Sequence, residues 1–137
     1  MLFPRSDDLA TAVVSALGQV PAAADASVLA RTVLQVFAEA GEVITRDREA
    51  QRRRALVIDA NPDLQERERS KLAGTAVRIG EALTERGVAD GAVLGATTVE
   101  LFRAAYRSRI DEHPPDSFAE YLERSRSSLQ HFLSHPQ

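Results

Sequence analysis

Apolar residues recur along this chain at three- and four-residue steps, in six stretches separated by short polar breaks. That spacing predicts helices throughout. Leu9, Val13, Ala16 and Leu17 form the first stripe. Ser6 stands ahead of it as a cap, Asp7 and Asp8 fall in the first turn, where the helix dipole favours negative charge, and Gly18 and Pro21 end it. A second helix, capped by Asp25 or Ser27, runs to Ile44 with Leu29, Val33, Val36, Phe37, Ala40, Val43 and Ile44 along its apolar side. At 1.5 Å per residue it is roughly 27–30 Å long, enough to cross a small domain.

A shorter third helix is expected from about Asp47 to Asp59, basic at first and apolar at Leu56, Val57 and Ile58. Asn61-Pro62 stops it and starts the fourth, with Asn as cap and Pro at the first helical position. The fourth runs to about Arg86 on a stripe of Leu72, Ala76, Ile79 and Leu83; Gly87 closes it, and Asp90 caps a fifth from Gly91 to Ile110. After the break DEHPPDS, Phe118, Tyr121, Leu122, Ser125, Leu129 and Phe132 mark a sixth. No stretch alternates with period two for long enough to form a strand. The expected fold is all-α, a six-helix bundle.

The fifth helix is unusual. Between Ala92 and Tyr106 its only charged residues are Glu100 and Arg103, and its apolar positions spread around much of the circumference. Such a helix must be covered on two sides. Either it lies at the centre of its own domain, or its domain covers one face and a second subunit the other. The second arrangement is expected, because the sixth helix also carries an aromatic-rich stripe. Two helices from each of two chains then form a four-helix interface with two-fold symmetry, built from Val99, Arg103, Tyr106, Phe118, Tyr121, Leu122, Leu129 and Phe132.

Composition narrows the picture. The 137 residues fit one domain, and 44% hydrophobic with 27% charged residues is a globular balance. There is no apolar run of the ~18 residues needed to span a bilayer, and no secretory leader is expected. The chain contains no Cys, so disulfide and thiolate chemistry are excluded, and a cytoplasmic location is the expectation. A net charge of −3 argues against these residues gripping a nucleic-acid backbone.

Candidate chemistry is sparse. His131 and His135 stand four apart, but the only other His is His113, in a loop, and no metal site is expected. The basic run RDREAQRRR (46–54) reads as a solvated face, with Glu49 and Arg53 spaced for an ion pair, or as a docking surface for an adjoining domain. Metal-hydrolase, phosphate-loop and serine-nucleophile motifs are all missing, so neither an enzyme nor a cofactor is expected. What remains is a polar minority beside the apolar stripes, including Thr32 and Glu100. In a packed core such groups need partners; in a cavity they orient a ligand. Gln35, Thr75, Arg78, Thr97 and Thr98, with Phe37 and Phe102 as apolar neighbours, make the expected ligand pocket between the second, fourth and fifth helices.

Taken in order, the segments resemble the C-terminal part of the TetR family of bacterial transcription regulators. Phe3-Pro4-Arg5-Ser6-Asp7-Asp8-Leu9 looks like the family's F-x-x-K-x-x-L junction, with Ser6 at or beside the place of the usual Lys. The basic R-R-R-A-L-V (Arg52 to Val57), N-P-D-L-Q-E-R (Asn61 to Arg67) and A-L-T-E-R-G (Ala82 to Gly87) are similar to the mycofactocin-regulator-like subgroup. The resemblance implies that residues 1–137 are one regulatory domain, following a helix-turn-helix DNA-binding domain not included in this sequence. It implies a small, mostly apolar effector, dimerisation through the last two helices, and DNA contact only through the missing domain. A freestanding helical adaptor that binds other proteins is the alternative expectation.

Overall fold

The computed structural model describes residues 6–134, with side chains from Asp8 onward. Phe3, Pro4 and Arg5 of the family-like junction, the side chains of Ser6 and Asp7, and His135 lie outside the described residues. Six helices follow one another: α1 (Ser6–Gln19), α2 (Ala26–Ile44), α3 (Arg48–Asp59), α4 (Pro62–Glu85), α5 (Gly91–Asp111) and α6 (Phe118–Ser134). Among the described residues there is no strand.

Local chemistry sets the boundaries. Asp25, not Ser27, caps α2, its carboxylate accepting from the backbone N–H groups of Ser27 and Val28 at 3.1 and 3.2 Å. Asp47 caps α3 through the Ala50 N–H, and Asn61 caps α4 through those of Asp63 and Leu64, with Pro62 behind it. Gly87, at φ +84°, ends α4 in a Schellman turn: its N–H reaches the Thr84 carbonyl and that of Val88 the Leu83 carbonyl. Asp90 departs from expectation. It precedes α5 in the left-handed region, at φ 59°, and its side chain makes no capping bond.

Two arginines fasten helix ends that propensity alone does not explain. Arg86 donates to the carbonyls of Leu17, Val20 and Pro21, satisfying the frayed end of α1. Arg48 donates to the carbonyls of Arg109, Ile110 and Glu112, closing α5 from the first turn of α3.

Helices α1, α2, α6, α5 and α4 pack in a closed ring, each against the next, and α3 lies across α4 and α5 on the outside. Leu9, Val13 and Leu17 of α1, Leu29, Val33 and Phe37 of α2, and Ile79 and Leu83 of α4 fill the interior. Three rings form its centre: Phe37 meets Phe102 edge-on at 5.1 Å, and Phe102 meets Phe118 at 5.1 Å. Burying one such ring contributes about 1.5–3 kcal/mol.

Two expectations change here. On α3 the buried positions are Gln51 and Ala55, whereas Leu56 and Val57 are 68% and 59% exposed. On the inward side Gln51 accepts the Tyr106 hydroxyl through Oε1 at 2.7 Å, which satisfies its buried amide oxygen. On α5 the internal alternative accounts for about half of the apolar positions. The helix packs against α2, α3, α4 and α6, burying Val99, Phe102, Ala105, Tyr106 and Ile110. Val93, Leu94, Ala96 and Ala104 remain exposed.

Helices α4 and α5 approach closely enough for backbone to meet backbone. A Cβ placed on Gly95 would stand 2.4 Å from the Ala76 carbonyl oxygen, and one on Gly91 would stand 2.6 Å from that of Gly80. These glycines let two backbones touch, which fixes the α4–α5 hairpin that forms one side of the candidate site.

Candidate functional site

The residues expected to line a pocket between α2, α4 and α5 do not converge. Gln35 is exposed on α2, and Phe37 is sealed in the core. Thr75 is buried and donates to the Lys71 carbonyl, Thr97 to that of Val93 and Thr98 to that of Gly95. Thr32 does likewise to Val28. These hydroxyls satisfy themselves on their own helices, as Ser and Thr in helices commonly do. Arg78 is exposed and donates to Thr11 Oγ1 at 3.2 Å. Of the residues expected there, Phe102 and Glu100 border a cavity among the described residues.

That cavity lies between α3, α4 and α5 instead. It is an open groove of about 570 Å³, within the range of roughly 300–1,000 Å³ that small-molecule sites occupy. Its floor is apolar: Leu72, Ala73 and Ala76 from α4, Ala96, Val99 and Phe102 from α5, with Ala55 and Ile58 on the α3 side. Space exists because so many of these residues are alanine. Where α3 lies beside α4 and α5, these small side chains leave a trough that larger ones would fill.

Polar groups sit at its edges. Arg54 of α3 pairs with Glu68 of α4, the two side chains only 15% and 22% exposed, and Tyr106 with its partner Gln51 lies beside them. Burial pushes the Tyr106 hydroxyl above its ordinary value, with the Arg54 charge pulling the other way, so the phenol stays a neutral donor. Arg107 of α5 donates to Asp59 of α3 at 2.8 Å, and that bond holds the guanidinium above its ordinary value. Arg103 pairs with Glu100 one turn back on α5, at 2.9 Å. Gln65 donates to the Asp59 carbonyl at 2.8 Å, closing the α3 end. The pairs differ in strength. Arg54–Glu68 is shielded, whereas the pairs of Arg103 and Arg107 are exposed, and exposed ion pairs contribute about 0–1 kcal/mol.

The eight residues expected at a subunit interface divide. Phe118, Tyr121 and Leu122 are covered by the chain's own core, as are Val99 and Tyr106. A charged substitution at Val99, an expected interface residue, would therefore probe the fold and not dimerisation. Leu129 is half-buried, Arg103 exposed, and Phe132 is 72% exposed with Leu133 beside it. His131 is exposed, and no group of three metal-ligating side chains occurs among the described residues. Glu49 and Arg53, spaced for an ion pair, are both exposed on α3.

Sequence reasoning missed the groove because it searched for polar residues, and the groove is made by small ones on three helices. A usable signal was present: Arg103 and Arg107 one turn apart on the same face as Ala96 and Val99. No protein-family model matches the chain, and no curated protein matches it significantly. Among the described residues no helix is long and apolar enough to cross a membrane.

Proposed function

We propose that this chain is an effector-binding regulatory domain of the TetR C-terminal type, and that its effector binds in the groove between α3, α4 and α5. One observation carries the reading: the molecule holds an apolar-floored groove of about 570 Å³ whose polar groups are confined to its edges. The effector is small and mostly apolar, and the domain acts on DNA only through a helix-turn-helix segment of the full regulator. Two copies pair through the uncovered part of α6, where Leu129, Phe132 and Leu133 lie. For regulation, the effector must bind one arrangement of the pair better than another, since a ligand indifferent to both shifts nothing.

Thermal unfolding in the presence of a panel of small apolar compounds tests the reading. A ligand at 100 times its Kd adds about 2.7 kcal/mol of stability, which raises Tm by several degrees in a domain of this size. Ala73→Trp, a substitution at an exposed position on the groove floor, should abolish that rise. A rise that persists in Ala73→Trp would overturn the assignment of the site.

The adaptor reading has its own observation. Leu56 and Val57 stand out from α3 beside the exposed Arg52 and Arg53, a surface suited to an acidic helix with an apolar face. It predicts partner binding that survives Ala73→Trp and is lost in Leu56→Asp.

A further inference from the structure

We infer that the groove selects an amphipathic anion: an apolar body on the Ala96–Val99–Phe102 floor with a carboxylate or sulfonate held by Arg103 and Arg107. The inference rests on the effector-site reading and adds the chemical class of the ligand.

Charge is the first observation. The lining holds four arginines, Arg54, Arg69, Arg103 and Arg107, against the acids Asp59, Glu68 and Glu100. Each of these arginines is already paired with a carboxylate, Arg69 with Glu66 just outside the lining, so the groove offers guanidinium forks without a net charge and a ligand anion binds by exchange.

Geometry is the second. Arg103 and Arg107 are four residues apart on α5, so they share a face, and both border the groove in line with Val99 and Phe102. An anion there finds two planar forks of N–H donors, the arrangement that suits a two-oxygen head group. A ligand extending from it along α5 lies directly over the apolar floor.

The third concerns what must be displaced. Arg54 and Glu68 are shielded from water and hold one another. By contrast, Glu100 and Asp59, the present partners of Arg103 and Arg107, are 60% and 51% exposed. A ligand anion that takes over these two arginines releases the carboxylates into water, where they are readily solvated. The mouth of the groove is the exchangeable end.

Two fluorescent probes that differ by one sulfonate, anilinonaphthalene sulfonate and N-phenylnaphthylamine, test this on the full chain. The sulfonate is ionised at every usable pH, so no titration of the probe intervenes. The anionic probe should bind about ten-fold tighter, the worth of one charge-assisted contact. In Arg103→Gln/Arg107→Gln the ratio of the two affinities should collapse toward one, while Arg52→Gln, outside the groove, should leave it standing. Ala96→Trp should remove both probes; Ala73→Trp provides a second filling variant, and circular dichroism confirms that each folds. Equal binding of the two probes, blocked by the filling variants, would overturn the anionic preference and leave the site intact. Binding of neither probe, or binding indifferent to both tryptophans, would overturn the site and the preference together.

Discussion

At the scale of single residues, space decides what propensity does not. Alanine is favoured over glycine inside a helix by about 1 kcal/mol, so a glycine in mid-helix asks for a reason. Gly95 has one, because its missing Cβ is where the Ala76 carbonyl and the Gly80 backbone come to rest. Backbone cannot swing aside as a long side chain can, so Gly95→Ala forces α4 and α5 apart. Gly74, also within α4, has nothing within 4 Å of where a Cβ would stand. The same substitution should therefore act with opposite sign at the two positions. Gly95→Ala is expected to cost about 1–3 kcal/mol, and Gly74→Ala to add about 0.5–1 kcal/mol, both read from urea unfolding midpoints. Equal effects would mean that the backbone contact does not hold the hairpin together. This contrast is invisible in the sequence, where both are simply glycines among small neighbours.

At the scale of elements, Glu42 joins three helices. From α2 it accepts the Phe118 N–H at the start of α6 at 2.9 Å, and the Arg109 side chain of α5 at 3.0 Å. Arg109 is 13% exposed, and its Nε and Nη1 have no other partner. The two partners are thus unequal. Glu42→Ala strands a nearly buried cation and is expected to cost about 1–3 kcal/mol. Arg109→Met leaves a carboxylate that keeps its Phe118 bond and is 44% exposed, so its cost should be small. The Phe118 N–H chiefly, opposed by desolvation and aided by Arg109, holds the Glu42 carboxyl below the ordinary glutamate value of 4.5. A lowered folded value makes the contribution complete above that pH and lost as pH falls through the folded value. Between about pH 7 and about pH 3 the wild-type urea midpoint should fall further than that of Glu42→Ala; equal falls would remove Glu42 from the account. The helices themselves were legible in the chain, since caps such as Asp25 and Asn61-Pro62 act within a few residues of where they stand. The ties between them were not. Arg48 to the end of α5, Arg86 to the end of α1 and Glu42 to α6 join residues far apart in sequence, and nothing local marks them.

At the scale of the whole molecule, α5 links the groove to the helix that carries the proposed pairing surface. Helix α5 supplies Val99, Phe102, Arg103 and Arg107 to the groove and packs along α6. The groove escaped sequence reading because it belongs to no element: alanines of three helices create it only once the bundle has closed. The pairing surface was expected on α5 and along the whole of α6 and is proposed on the outer end of α6 alone, where Leu129 and Phe132 of the expected set lie, since Phe118, Tyr121 and Leu122 are consumed by the core. A stable dimer buries about 1,200–2,000 Å² in total, more than one aromatic ring supplies, so α6 must bring most of its second half into the contact. Sedimentation equilibrium of the full chain should accordingly show a dimer at micromolar concentration, and Phe132→Asp should shift it to monomer, lowering the unfolding midpoint only by the concentration-dependent contribution of pairing, because that ring is exposed and outside the core. A monomeric wild type would remove the pairing from the proposal and leave the groove standing. If the pair forms, occupancy of the groove should change its dissociation constant, because α5 both lines the groove and packs along α6. Coupling of that kind is reciprocal, so the dimer-breaking variant should bind the probe with altered affinity although Phe132 lies outside the groove.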